Sequence, residues 1–294
     1  MSKYAKLNWA LRRPKESKYK GRHIMKYAMD FIEAIEREDK PRKNGLTGVR
    51  DPGMGMLETQ MFIESAGMYT DWVKFRNMMP RFFSHDWFVK KVNLYKDNNI
   101  NVLPGGITGE MAFLQGKWDQ TLEYMVDVGV SGMEVSENYV NYSHAEKIQL
   151  VHDLRDHDIH CFFEWGIKKP HEPLKPEMAI KEINNLISEG VNHVIVEEGE
   201  IDMLLGVDGQ SENSHLLVEL IEGVGIEHLM IEAIHSKQQA WLLKNYGTTV
   251  NIGPNVLTHE VLWLESNRRG MGRGVNYFGL DEWLEKTGRR RNDA

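Results

Sequence analysis

Four glutamates recur at the ends of short apolar runs: Glu134 in GMEVS (132–136), Glu164 in IHCFFEWG (159–166), Glu197 in HVIVEE (193–198) and Glu232 in LMIEA (229–233). Two lysine sites accompany them, Lys74 in YTDWVKF (69–75) and the pair Lys168 and Lys169 just beyond Glu164. If these runs are neighbouring strands pointing the same way, the four acids converge on one centre. Carboxylates packed that closely repel, and their pKa values rise unless a cation neutralises them. An oxygen-rich divalent-metal site, Mg²⁺ with retained waters, would relieve the repulsion and leave positions open for a substrate carboxylate or enolate. Protonated lysines in the same pocket can act as general acids. The metal candidates are therefore Glu134, Glu164, Glu197 and Glu232, and the catalytic candidates Lys74, Glu164, Lys168 and Lys169.

The stretch HCFFEWGIKKP (160–170) shows the expected layout. Strand alternation puts Cys161 and Phe163 on one face and Phe162 and Glu164 on the other, toward the pocket. Gly166 lets the chain leave the strand tightly, so that a lysine can swing over the centre. Other strand ends add Asp51, the Gly105-Gly106 turn with Glu110 beyond it, and Asn251 as substrate-binding candidates. Among the histidines only His235, just past the seventh strand, is expected in the pocket, and no HExxH spacing occurs. Lys237 and Gly253 could hold a phosphate in the loops after the seventh and eighth strands, although the glycine-rich cationic signature of such a loop is missing. Glu198, beside Glu197, is expected to face the helical layer. The clusters at Met79–Phe83 and Trp87-Phe88 read as packing of a loop and a helix against the body.

The elements that must position these groups alternate along the chain. Strand candidates at 45–51, 69–75, 101–105, 132–136, 159–166, 193–198, 229–233 and 248–253 are each followed by a helical run, at 56–66, 86–97, 108–128 (broken near Gly116), 144–157, 176–189, 212–223, 236–246 and 257–269. Spacings of this length require parallel βαβ units. Eight of them predict a (β/α)8 barrel, whose catalytic groups gather at the C-terminal ends of its strands. A doubly wound sheet is the competitor, and the Gly-x-Gly-x-x-Gly pattern that would favour it is missing after the first strand. Residues 1–43 are expected to form a basic arm with a helical stripe at 26–37, residues 44–280 the barrel, and 281–294 a basic tail. A net charge of −7 gives no general attraction to nucleic acid or an anionic membrane. The single cysteine, Cys161, precludes a disulfide within the chain. A soluble cytoplasmic homo-oligomer acting on a small anionic carboxylic acid is expected.

The blocks PGGITGE (104–110), LQGKWDQTLE (114–123), MEVSE (133–137), FEWGIKK (163–169), IEAIHSKQQAWLLKNYG (231–247), TVNIG (249–253) and LESNRRGMGRG (264–274) resemble, in order, those of the phosphosulfolactate synthases. The resemblance runs from about Gly45 to Phe278. It implies a barrel that adds sulfite to phosphoenolpyruvate with Mg²⁺, forming a C–S bond in the route to coenzyme M or sulfolactate. Asp51, Lys74, Pro104, Gly105, Gly106, Glu110, Glu134, Ser136, Glu164, Glu197, Glu232 and Asn251 stand where that family has the same residue. The plant heat-stress-associated proteins share the opening Gly45–Pro52 pattern more distantly. This chain departs where the synthases handle anions: Glu-Gly-Arg-Glu-Ser-Gly becomes Glu197-Glu198-Gly199-Glu200-Ile201-Asp202, deleting an arginine and adding acid.

The expected mechanism is metal-assisted stabilisation of an enolate-like species, with addition of a nucleophile at the terminal carbon and protonation of the α-carbon by Lys168 or Lys169. One residue, Ile167, separates Gly166 from the lysine pair where the family has none, so the residues alone leave open which lysine is the acid. Two alternatives stand beside it: a barrel using another nucleophile or a non-phosphorylated acid, and a non-catalytic stress or assembly protein.

Overall fold

The computed structural model describes residues 27–29, 31–275 and 281–289. Of the described residues, 27–29 and 31–34 belong to a unit of their own, and the body begins at Ile35. The first 26 residues, and with them most of the expected basic arm, lie outside the described residues, as do 290–294 of the tail.

The body is built on eight parallel strands: β1 (Thr47–Asp51), β2 (Trp72–Phe75), β3 (Asn101–Pro104), β4 (Gly132–Val135), β5 (His160–Trp165), β6 (His193–Val196), β7 (Leu229–Ile231) and β8 (Asn251–Val256). Hydrogen bonding runs in the order β3-β2-β1-β8-β7-β6-β5-β4. The Ser131 amide donates to the Val102 carbonyl at 3.1 Å, bringing β4 back to β3 and closing the ring. The architecture is the (β/α)8 barrel that the alternation predicts.

Helices fill the connections close to the expected positions, among them Met56–Ala66, His85–Lys96, His144–Asp156, Pro176–Glu189 and Ser236–Tyr246. Their starts have local causes. Ser143 and Glu146 cap each other's backbone N–H groups ahead of His144–Asp156, and Pro176 occupies the first turn of its helix, where its missing N–H costs nothing. The long run at 108–128 is two helices, Ile107–Leu114 and Trp118–Val128, parted at Gly116 as the sequence indicates.

Alternation along the strands makes two cores. Leu46, Trp72, Leu103, Phe162, Ile195 and Met230 fill the barrel interior, whereas Val49, Val73, Cys161, Phe163, Val194 and Ile231 pack outward under the helices. Cys161 and Phe162 thus fall on the faces predicted for them. Below the interior plug, Asp71 accepts from the Thr47 amide at 2.9 Å and pairs with Arg42 at 2.9 Å, while Arg37 pairs with Glu265.

Three expectations need correction. Over residues 31–37 the chain is turn, bend and irregular rather than helical, because from Ile35 its backbone groups are engaged by Arg269 and its Arg37 side chain by Glu265. A helix not expected from the sequence, Glu198–Leu205, begins at the end of β6, so Glu198 starts a helix instead of continuing a strand. Finally, β8 begins only at Asn251 and continues through Pro254 to Val256, so it ends three residues later than the sequence suggests.

Candidate active site

Two residues beyond the apolar interior, each strand presents its next inward side chain: Lys74 after Trp72, Gly105 after Leu103, Glu164 after Phe162, Glu197 after Ile195 and Glu232 after Met230. Glu134 and Asn255 complete this layer from β4 and β8. The barrel therefore carries a polar ring at the C-terminal end of its strands, directly above a hydrophobic plug.

Charges in the ring face one another. The Lys74 ammonium donates to Glu134 Oε2 at 3.0 Å, and the Gly106 amide donates to Glu134 Oε1 at 2.8 Å. Burial pulls the Lys74 amine down, but Glu134, Glu232 and Glu164 outweigh it and hold the group above its ordinary value. Glu164 is pushed up to about 7 and Glu232 to about 8, in both cases first by burial, with Glu134 and Glu197 adding repulsion and Lys74 opposing it. The convergence inferred from four strand ends is thus present, and it raises carboxyl pKa values as crowding requires.

The loop after β5 brings the second cation. Lys168 Nζ lies 3.2 Å from Glu197 Oε1 and 3.7 Å from Glu164 Oε1. These two carboxylates outweigh burial and raise its pKa, so it is an ammonium at neutral pH. Gly166 turns at φ +118°, and a Cβ there would come within 2.5 Å of Glu200 Cγ, so both the turn and the close approach require glycine. The Ile167 amide then donates to Glu200 Oε1 at 2.9 Å. Ile167 itself points to solvent; Lys168 and Lys169 are both exposed, but only Lys168 reaches the ring carboxylates, and Lys169 forms no ion pair or hydrogen bond with the described residues.

Other candidates are occupied elsewhere. Asp51 points out of the barrel to a buried pair with Lys91 at 2.6 Å, and it also accepts from Tyr95 and from the Gly53 and Met54 amides. Glu110 accepts from Ser136 Oγ at 2.6 Å and from the amides of Asn138, Tyr139 and Val140; the two residues together anchor the loop after β4. Asn251, first in β8, sits at the opposite end of the barrel and ties Leu46 N to Leu229 O, because the strand starts rather than ends there. Gly253 lies within β8, where a Cβ would come within 2.6 Å of Gly48 Cα; it permits the close approach of β8 to β1 and is not in a loop. His235 Nε2 is 3.7 Å from Asp202 Oδ1 beyond β7, and Lys237 is exposed in the first turn of the following helix. His160 packs in the lower interior against Trp72 and stacks on His193.

Two ring residues were not singled out in the sequence. Asn255 donates to Glu232, and only the late end of β8 reveals it. Arg50 is in register with Lys74 across β1 and β2, and shares the inward parity of Leu46. The alternation that makes Asp51 outward makes Arg50 inward.

No group of three or more Asp, Glu, His or Cys side chains is arranged around one metal position among the described residues. The donor chemistry nonetheless fits a divalent ion. Four carboxylates against the Lys74 and Lys168 ammonium groups leave two negative charges, and Glu164 and Glu232 carry the raised pKa values of acids short of positive charge. Mg²⁺ commonly takes only one or two protein carboxylates with water and substrate completing its shell.

A model of the family (2R)-phospho-3-sulfolactate synthase (ComA) matches residues 35–273. The phosphosulfolactate synthase of Methanocaldococcus jannaschii is 30% identical over 234 residues, covering 78% of this chain and 92% of the relative. That of Bacillus subtilis is 25% identical, covering 85% and 99%. The Arabidopsis thaliana protein HEAT-STRESS-ASSOCIATED 32 is 21% identical, covering 76% and 85%.

Proposed function

This chain belongs to the phosphosulfolactate synthase family, and from that premise we propose that it adds sulfite to phosphoenolpyruvate with Mg²⁺. The observation that carries the reading is the Lys168 ammonium held between Glu164 and Glu197, facing a carboxylate ring. A group so placed, with its pKa raised, is a proton donor and not a base. Mg²⁺, held by Glu164 and Glu232, would supply the positive charge opposite the electrons that gather on the substrate carboxylate. Sulfite brings the attacking electron pair to C3 of phosphoenolpyruvate, and the C2–C3 π pair moves toward the carboxylate. Lys168 then delivers its proton to C2, so that one C–S and one C–H bond form and the phosphate ester stays intact. Lys74 fixes Glu134 against the Gly106 amide and lowers the repulsion across the ring.

Incubation of the protein with Mg²⁺, phosphoenolpyruvate and sulfite is expected to give phosphosulfolactate by mass spectrometry, and Lys168→Met is expected to abolish it. Absence of product from folded protein sinks the assignment. One observation favours a second reading, in which the nucleophile differs or the acid is not phosphorylated. The helix after β6 carries Glu198 and Glu200, both with pKa values raised first by burial, on either side of Gly199, where the resemblance puts an arginine. Product from an alternative nucleophile or acid, with none from sulfite and phosphoenolpyruvate, would select it. A soluble protein suits either reading, and no helix of the described residues is long and apolar enough to cross a membrane.

A further inference from the structure

The ring attracts a cation and repels an anion, yet the substrate class of the proposed function is anionic. Glu134, Glu164, Glu197 and Glu232 line it, and Glu198, Glu200 and Asp202 crowd the adjoining helix. Both lysines that reach the centre are already engaged, Lys74 by Glu134 and Lys168 by Glu197 and Glu164. An incoming oxyanion would have to take either lysine from its carboxylate partner.

Arg50 differs in each of these respects. It is the penultimate residue of β1, and its Cα pairs in register with that of Lys74. Val49 packs outward and Asp51 reaches outward to Lys91 and Tyr95, so alternation turns Arg50 into the mouth. It is half-buried, and its guanidinium forms no ion pair or hydrogen bond with the described residues. Its nitrogens are not sealed from solvent, so the fork is open to a ligand entering the mouth. The turn Thr258–Glu260 after β8 lies against β1, so Arg50 borders the sector where barrels of this class commonly hold a phosphate.

We propose that Arg50 is the oxyanion anchor of this site. Its planar fork receives a terminal oxyanion of the small acid, phosphoryl or carboxylate, with two parallel hydrogen bonds. It supplies from β1 the cation that the acidic run 197–202 no longer supplies from β6. The proposal rests on the reading of the ring as a site for a small anionic acid, and binding tests the two separately.

Titration calorimetry on the full chain with Mg²⁺, using phosphoenolpyruvate, inorganic phosphate and pyruvate as probes, decides it. Arg50→Met is expected to weaken phosphoenolpyruvate at least about tenfold, and Arg50→Lys, which keeps the charge but loses the fork, about threefold or more. In turnover, KM for phosphoenolpyruvate is expected to rise with kcat changed little, the pattern of lost uniform binding. Selective loss of inorganic phosphate assigns Arg50 to a phosphoryl group, and selective loss of pyruvate assigns it to a carboxylate; either supports the anchor. Wild-type affinities in both variants overturn the anchor and leave the phosphoenolpyruvate reading standing. Failure of the unaltered chain to bind any of the three probes overturns both. Should Arg50→Met fail to fold, Arg50→Lys decides alone, and an unchanged affinity there overturns the proposal.

Discussion

The two ends of the barrel are both rich in charge, and they handle it in opposite ways. At the N-terminal end most groups are held by fixed partners, although Nε and Nη2 of the buried Arg268 have none among the described residues. Asp71 lies among the Thr47 amide, Arg42 and Arg37; Arg268 donates to the Val250 carbonyl at 2.6 Å; and Asn251 joins β8 to the backbone of its neighbours. Backbone partners cannot move away, so this end is a clasp. At the C-terminal end acids face acids, two of them with pKa values near or above neutrality, and the relieving cation Lys168 stands on a loop. Charge density therefore does not identify the site. What marks it is like charge gathered where a ligand can reach it, whereas the partly unpartnered Arg268 at the other end is sealed from solvent.

The largest expected effect tests that distinction directly. Lys168→Met should lower turnover by about 10³–10⁴-fold, the upper range for a lost proton donor, while the melting temperature is unchanged. Lys169→Met, altering an exposed neighbour, should stay within about twofold under the same assay. Equal losses in the two variants would erase the difference between the lysine paired with the ring and its unpaired neighbour. At the other end, Asp71→Asn leaves Arg42 without its carboxylate and Arg37 with Glu265 alone, and should cost about 3–4 kcal/mol of stability by denaturant titration. Turnover per folded molecule should be preserved. A loss of turnover with no loss of stability would mean that the clasp is part of the site.

Much of this contrast was legible before any coordinates, but unevenly. The alternation of apolar runs and helices defines eight units because parallel strands need long crossovers, and four glutamates at one strand position imply convergence. Parity was harder to read. β1 is buried on both faces, so its composition does not say which side is inward, and Asp51 was the conspicuous strand-end residue while Arg50 held the inward position. Gly253-Pro254 reads as a break, which hid the continuation of β8 and with it Asn255. The segment 198–205 is short and opens on acids and a glycine, which masks the single apolar stripe of Ile201, Leu204 and Leu205, all fully buried. The choice between Lys168 and Lys169 depended on how one loop residue is absorbed, and the outward turn of Ile167 answers it geometrically.

The smallest effect is the sharpest test of the two ends together, because they respond to pH with opposite sign. Glu164 and Glu232 have pKa values raised to about 7 and about 8 from the ordinary 4.5, so the folded state holds protons that the unfolded state releases. Their contribution is fully present below about 4.5 and is lost as pH rises through 7 to 8. His160 and His193 are lowered to about 3 and about 4, first by burial, from the ordinary 6.5. Their contribution is present above about 6.5 and is lost as pH falls toward those values. Metal-free protein should therefore be most stable in the mildly acidic interval between these limbs. Raising the pH from 7 to 8.5 should lower its stability by about 1–2 kcal/mol, roughly 3–6 °C in melting temperature. Glu232→Gln removes one of the two acids and should flatten the alkaline limb without altering the acidic one. Mg²⁺ should raise the melting temperature more at pH 8.5 than at pH 6, and less in the variant than in the unaltered chain, since the ion competes with protons for the same carboxylates. If the alkaline limb persists unchanged in Glu232→Gln, the excess acid at the C-terminal end is not what the ion relieves, and the two ends would differ only in position.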